Sequence, residues 1–197
     1  MTSGQSQLLK MMTESARAIQ RQVSSMLQFA QIGHGEINLE PLSVEDVIES
    51  ARAMLSDAIE SSGAEIQYES LPVIKADRTQ LEQVFQNLLS NAIKYRKPGD
   101  TLRISISAER MGGELVFSVE DNGQGVPPEC LERVFEPLKR LHGRDIPGSG
   151  LGLAPCQRII ERHGGVGKEP GMERQFGLLC HFTIQQQSET ANSHCGR

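Results

Sequence analysis

Asn87-Leu88-Leu89-Ser90-Asn91-Ala92-Ile93-Lys94-Tyr95 closes a segment in which Leu81, Val84, Phe85, Leu88, Leu89 and Ala92 recur at spacings of three and four. That period is one buried face of an α-helix. Asn87, Asn91 and Lys94 stand four and three residues apart on a second face, so two carboxamides and an ammonium share one side of the helix. Carboxamide oxygens are hard, neutral ligands for Mg²⁺ that already carries phosphate oxygens, and an ammonium neutralises phosphate charge. Any isolated pair of these residues reads better as part of a solvated helix face. The loops that follow it shift the balance.

Outward from this helix, the punctuation is regular. Asp77 with Gln80 three residues on is close to a capping box and opens the helix, which runs to about Arg96. Upstream, Glu36 to Leu42 is extended, Ser43 caps a helix with apolar residues at Val44, Val47, Ile48, Ala51, Leu55 and Ala58, and Gly63 stops it. Glu65 to Ser70 and Val73 to Ala76 read as short strands. Downstream, Pro98-Gly99-Asp100 is a turn, and Leu102, Ile104, Ile106 and Ala108 alternate with polar residues, as do Leu115, Phe117 and Val119. Met111-Gly112-Gly113 joins these two strands as an antiparallel hairpin. Leu151 to Arg162 is a helix ending at Gly164-Gly165, with Pro155 in its first turn, where a missing N–H is tolerable, and Gly177 to Ile184 is a last strand. Helices and strands in this order predict an α/β fold of the two-layer sandwich type with a mixed sheet.

Two glycine loops lie beyond the helix. Asp121-Asn122-Gly123-Gln124-Gly125 follows a buried strand, and the missing side chains of Gly123 and Gly125 let a flat ring approach the backbone. A carboxylate at Asp121 can accept a hydrogen bond from the exocyclic amine of adenine, whereas guanine presents an oxygen there. Gly148-Ser149-Gly150-Leu151-Gly152-Leu153 precedes a helix, so its N–H groups and the positive helix end can cradle an anion. Neither a strand directly before this loop nor a βαβ unit around it is present, which removes a dinucleotide-binding reading. Between them, residues 136–147, with Lys139, Arg140 and Arg144, are rich in charge and breakers, as expected of a mobile lid; each cation, taken singly, reads equally well as a γ-phosphate ligand or as part of a solvated loop.

Near the N-terminus, Met12, Ala16, Ile19, Val23, Met26 and Ala30 alternate steps of four and three up to Gly33, the seam of a helix packed lengthwise on another. Such a seam needs a second helix, so a homodimer or heterodimer is expected; folding back onto the globular domain is the alternative. A net charge of −5 over 197 residues, with 38% hydrophobic residues, gives one domain plus an appendage. No basic stripe for nucleic acid is visible, and no apolar run reaches bilayer length. The four cysteines lack metal-ligand spacing, and with no secretory leader they are expected to be reduced thiols of a cytoplasmic chain, two or three of them simple packing residues.

Taken in order, the N box at Gln83 to Tyr95, a first glycine box at Asp121 to Gly125, an F box at Phe135-Glu136-Pro137 and a second glycine box at Gly148 to Leu153 resemble the catalytic domain of sensor histidine kinases, within the Bergerat-fold ATPases. Lys139 to Asp145 and Gln157 to Gly165 look most like the phytochrome-type branch. The resemblance implies ATP and Mg²⁺ as cofactors, with Asn87 and Asn91 on the metal, Lys94 on phosphate, Tyr95 beside the nucleotide and Asp121 on the adenine amine. Gly123, Gly125, Gly148, Gly150, Leu151 and Gly152, with Lys139, Arg140 and Arg144, would wrap base and phosphates. Hydrolytic relatives carry a Glu where Asn87 stands, and an amide cannot act as a general base, so phosphoryl transfer is expected over hydrolysis.

The same resemblance implies a division into a dimerisation helix at 1–35, an ATP-binding domain at 36–187 and a disordered tail at 188–197. No histidine precedes His34, which follows the helix-ending Gly33 and reads as a solvated cap residue. The expected acceptor is therefore a histidine on a partner's helical hairpin, with a response regulator next in line. Two other readings share the fold: a catalytically silent nucleotide-binding dimerisation module, and an anti-sigma-type protein serine kinase. Residues 166–171 are shorter than the family's strand and turn, and 172–180 hold extra residues, so a distorted last hairpin is expected.

Overall fold

The computed structural model describes residues 3–32, 36–111, 114–127, 130, 153–165, 167–168 and 179–184. In chain order the elements are α1 (Ser3–Ile32), β1 (Glu40–Ser43), α2 (Val44–Met54), α3 (Ser56–Ser62), β2 (Glu65–Tyr68), β3 (Val73–Ala76), α4 (Arg78–Lys94), β4 (Arg103–Met111), β5 (Glu114–Asp121), α5 (Leu153–Arg162), β6 (Gly167–Lys168) and β7 (Leu179–Ile184). Five strands form one sheet in the order β2-β4-β5-β7-β6. Its first pair, β2 with β4, is parallel and the others are antiparallel, so the sheet is mixed as expected.

The buried face of that sheet follows the period of two. Ile104 and Ile106 of β4 and Leu115, Phe117 and Val119 of β5 join Val47 and Ile48 of α2, Phe85 and Leu89 of α4 and Ile159 of α5 in one core. Phe85 and Phe117 are fully buried within it. Dispersion and water exclusion act together here, because α4 crosses between α2 and α5 with its apolar face turned to the strands.

The helix termini behave as their residues dictate. Ser43 Oγ accepts from the Asp46 N–H at 3.3 Å to start α2, and Gly63, at φ 63°, ends α3 in the left-handed conformation. The single helix expected from Ser43 to Gly63 is instead two, broken at Leu55 (φ −107°, ψ 11°). After Ala51 no residue of the run is fully buried, so little packing holds the second piece in line with the first. Pro155 lies in the first turn of α5, where it costs no helical bond.

One feature was not expected: strands β1 and β3 pair with each other as a separate antiparallel sheet, with Leu42 opposite Ile74 and Pro41 opposite Lys75. The short β6 pairs with the last strand, Gly167 opposite Phe182, and the residues of the expected distorted hairpin between them lie outside the described residues. Along α1, Met12, Ile19, Val23 and Met26 are exposed; among its residues with described side chains only Ile32, at the end, is buried, where it joins the core and Arg162 Nη1 donates to the Ile32 carbonyl. The described part of the seam is therefore not folded back along the domain.

Candidate functional site

The site is assembled where α4 ends and β5 ends. Asn87, Asn91, Lys94 and Tyr95 are half-buried along one side of α4 and its C-cap. The Tyr95 N–H donates to the Asn91 carbonyl at 2.9 Å, closing the last turn. Lys94 Nζ donates to the Tyr95 hydroxyl at 2.8 Å and stands 4.4 Å from the ring centroid, so the aromatic ring holds the ammonium by hydrogen bond and by its π face.

Asp121 continues the buried row of Leu115, Phe117 and Val119 on β5, which is why a carboxylate is only 8% exposed there. One of its oxygens accepts from the Gly123 N–H at 2.7 Å, a turn that reverses the chain toward α4. A Cβ on Gly123 would meet Tyr95 O at 2.8 Å and Asp121 Oδ1 at 2.7 Å, so only glycine allows the loop to lie against the helix end.

Four further bonds fix this loop. Gln124 N–H donates to the Tyr95 carbonyl at 2.9 Å, and Gln124 Nε2 to the Arg96 carbonyl at 3.1 Å. Asn122 ties the other side, donating to the Thr101 carbonyl at 2.9 Å and accepting from the Arg103 N–H at 2.8 Å. Gly125 then takes φ 73°. The carboxylate of Asp121 and the amide, ammonium and phenol of α4 are thus held in one corner by backbone hydrogen bonds. The sequence singled out Asp121, Gly123 and Gly125 for this; it gave no role to Asn122 or Gln124.

The other half of the expected site lies outside the described residues: Lys139, Arg140 and Arg144 of the lid, the F box, and Gly148, Gly150, Leu151 and Gly152. The helix that follows them is described. On its first turn Cys156 is buried against α4, its Sγ 3.9 Å from the Val84 carbonyl. Burial pushes the thiol up to about 12, with the Asn87 and backbone hydrogen bonds pulling the other way. It is a neutral thiol at physiological pH.

At its far end α5 is joined to the start of α4. His163 Nδ1 lies 2.8 Å from the Ile159 carbonyl, and its Nε2 accepts from the Asp77 N–H at 3.0 Å, which fixes the proton on Nδ1. Burial lowers its pKa; the Ile159 carbonyl and Asp77 oppose this and Arg162 reinforces it. The capping box at Asp77 is consequently half formed. Asp77 Oδ1 accepts from Gln80 N–H at 3.1 Å, but the Asp77 N–H goes to His163 instead of returning to Gln80.

Among the described residues there is no cluster of His, Cys, Asp or Glu that could hold a metal. The donors along α4 are neutral amide oxygens beside a cation, a set that fits Mg²⁺ delivered on a polyphosphate.

A two-layer mixed sandwich with an amide-bearing helix closed by an Asp-x-Gly-x-Gly turn defines an ATPase class, and the comparisons agree. The chain belongs to the Histidine kinase-, DNA gyrase B-, and HSP90-like ATPase family, whose profile matches residues 76–188, and within it to the histidine kinases. It is 42% identical over 149 residues to phytochrome-like protein Cph1 of Synechocystis sp., covering 75% of this chain and 20% of that protein. It is 38% identical over 174 residues to cyanobacterial phytochrome A of Nostoc sp., covering 87% of this chain and 22% of that protein. Full-length ShkA, solved in complex with AMPPNP, superposes with a TM-score of 0.72 at 29% identity, over 94% of this chain and 40% of that one. The chain thus spans 20% and 22% of the lengths of these two phytochrome relatives.

Proposed function

We propose that this chain binds Mg-ATP and transfers the γ-phosphate to a histidine side chain on a helical hairpin, from which a response-regulator aspartate takes it. The observation that supports this most is the corner itself, where Gly123 and Gln124 lock the Asp121 turn onto the end of the helix bearing Asn87, Asn91 and Lys94. In this reading Asn87 and Asn91 turn their carboxamide oxygens to Mg²⁺, Lys94 meets phosphate, Tyr95 flanks the nucleotide and Asp121 accepts from the adenine amine. When bound, Mg²⁺ supplies charge neutralisation on the β- and γ-phosphates. Lys139, Arg140 and Arg144 close over them from the lid, and Gly148, Gly150, Leu151 and Gly152 offer N–H groups.

Transfer is an in-line displacement. An imidazole nitrogen forms the P–N bond, the bond to the β,γ-bridging oxygen breaks, and ADP leaves. The chain's own share is positioning and charge, since no side chain along the described face of α4 is a general base that would activate water. Residues 1–35 serve as the dimerisation helix, in homodimers or heterodimers, and 36–187 as the catalytic domain in the cytoplasm, where ATP is available; the expected tail at 188–197 lies outside the described residues.

The test is incubation with γ-labelled Mg-ATP and a histidine-kinase helical hairpin carrying its histidine. Acid-labile label on the hairpin supports the proposal. Acid-stable label on a serine would point to a serine kinase of this fold, and tight ATP binding with no transfer to a silent nucleotide-binding module.

A further inference from the structure

The end of α1 meets the domain at a joint made by two neighbouring residues, Arg162 and His163, and the transfer chemistry above uses neither. Ile32 is the last residue of α1, so its carbonyl is one of the four that a helix leaves without an intrahelical partner, at the negative end of the helix dipole. The last turn of α1 has no basic residue of its own to meet that end. Arg162 Nη1 donates to the Ile32 carbonyl instead, from 130 residues away along the chain, while the Ile32 side chain is buried in the domain core.

A second tie lies just beyond the helix. The Asn38 N–H donates to Asp77 Oδ2 at 3.2 Å, on the same carboxylate whose Oδ1 caps α4 through the Gln80 N–H, and the Asp77 N–H in turn donates to His163 Nε2 at 3.0 Å. The exit of α1 is thus tied both to the last residue of α5 and to the N-cap of α4. These two helices frame the proposed nucleotide site: α4 bears Asn87, Asn91 and Lys94, and α5 begins at the last residue of the second glycine box. Two ties, one to each helix, leave the end of α1 less freedom to swing than either alone.

We infer that Arg162 is a positioning residue for phosphoryl transfer: by holding the terminal carbonyl of α1 it sets the direction in which that helix leaves the catalytic domain, and with it the placing of the γ-phosphate against a histidine hairpin packed on the helix. This rests on the transfer reading above. An in-line displacement tolerates little error, since a shift of about 1 Å between reacting groups can cost about a hundredfold in rate. Arg162 stands at the opposite end of α5 from the glycine box, so its loss should leave nucleotide binding alone.

The parent chain is compared with Arg162→Met, which keeps the aliphatic stem and removes the donor and the charge, using γ-labelled Mg-ATP and the helical hairpin, both saturating. The labelling rate should fall roughly ten- to a hundredfold. Mg-ATP affinity by calorimetry should stay within about twofold, as for distant, independent sites, with the urea midpoint near that of the parent. Arg162→Lys, still a cationic donor, should recover most of the lost rate. Asn38→Pro deletes the N–H of the second tie without touching α5, so it reads the joint even where Met disturbs that helix; it should slow labelling at parental affinity.

Parental labelling rates in both Arg162→Met and Asn38→Pro overturn the proposal. So does a Met variant whose ATP affinity drops as far as its labelling, which makes Arg162 part of the folded pocket, or a Lys variant as slow as Met, which makes shape and not the donated bond the reason. Small-angle scattering of the same chains judges the joint apart from the reaction: a broader spread of interatomic distances in Arg162→Met supports it, and superposable curves overturn it. A parent chain that binds Mg-ATP but never labels the hairpin would sink the transfer reading, and the scattering comparison would then decide the joint by itself.

Discussion

Helix α4 places seven residues, from Leu81 to Ile93, in a core shared with α2, α5 and the sheet; α1, 30 residues against 17, leaves Leu8, Met12, Ile19, Val23 and Met26 exposed. Both carry apolar residues at helical spacing. Their ends differ as well: α4 is capped by Asp77 and finished by Lys94 near its C-terminus, while α1 has no acidic residue in its first turn and no basic one in its last. Periodicity fixes which face of a helix is apolar, but the rest of the chain decides whether that face is covered. In α4 the cover is the domain's own sheet, which also makes the helix a rigid base for the amide row. In α1 the exposed apolar residues lack that cover, as the proposed role of joining chains would require.

Substitution of one buried and one exposed member of these faces should separate them most clearly. Phe85→Ala is expected to destabilise the domain by about 3–5 kcal/mol, because it empties a ring-sized volume in a closed core. Val23→Asp should leave the domain within about 0.5 kcal/mol in urea unfolding followed by circular dichroism, yet move the sedimentation mass from dimer toward monomer. A Val23→Asp midpoint as low as that of Phe85→Ala would mean that the α1 seam is part of the domain after all, and the contrast would be lost.

On α4 itself the polar side should be as separable from the apolar side. Asn91→Ala removes an oxygen that meets a charged group, worth about 1.5–3 kcal/mol, so Mg-ATP affinity should fall by roughly ten- to a hundredfold with the unfolding midpoint near that of the parent chain. Calorimetric binding at parental strength would take Asn91 out of the site. Gly123→Ala tests the loop side of the same corner. The added methyl meets the Tyr95 carbonyl and the Asp121 carboxylate, which cannot both retreat, so a loss of about 1–3 kcal/mol in stability is expected. Adenine nucleotide affinity should drop with it; an Ala variant as stable as the parent would show that the turn can lift off the helix end at no cost.

What could be read in the sequence was local. The face of α4, its opening at Asp77, the β4–β5 hairpin and the burial of every second residue up to Asp121 all follow from periods of 3.6 and 2 and from short-range caps. The need for glycine at 123 was legible as a turn, though not its reason, a helix carbonyl supplied from residue 95. What stayed hidden depends on contacts between distant segments. The β1–β3 pairing couples strands separated by two helices, and the packing of Cys156 onto the Val84 carbonyl follows from how α5 crosses α4, which no local pattern encodes. The break at Leu55 was hidden for a different reason: the apolar spacing persists there while burial fades. The His163–Asp77 bond spans 86 residues, a separation that no local pattern encodes.

That last bond supplies the smallest expected effect, and its sign can be worked out. In the folded domain Nε2 of His163 accepts from the Asp77 N–H, and Nδ1–H donates to the Ile159 carbonyl, so both nitrogens are committed to the neutral ring. A proton arriving on Nε2 would face an N–H donor. Burial holds the folded pKa below the ordinary imidazole value of 6.5, while the unfolded chain binds its proton near that value. Between the two the unfolded state carries more protons, so stability rises with pH through this window. The contribution is complete above about pH 6.5 and is lost as pH falls through the folded pKa. The carboxylate of Asp77 moderates the effect and the neighbouring Arg162 strengthens it. Urea midpoints at pH 7.5, 6.5 and 5.5 should therefore decline toward acid in the parent chain and decline less steeply in His163→Gln, whose amide oxygen can still accept from Asp77 but does not titrate. The paired comparison cancels other groups, such as Glu49, whose pKa is lowered chiefly by its hydrogen bond from Tyr68 and which adds an acid slope of the same sign to both chains. Parallel slopes would show that the joint between the end of α5 and the start of α4 opens without protonation, and that the rigidity ascribed to α4 does not depend on His163 being neutral.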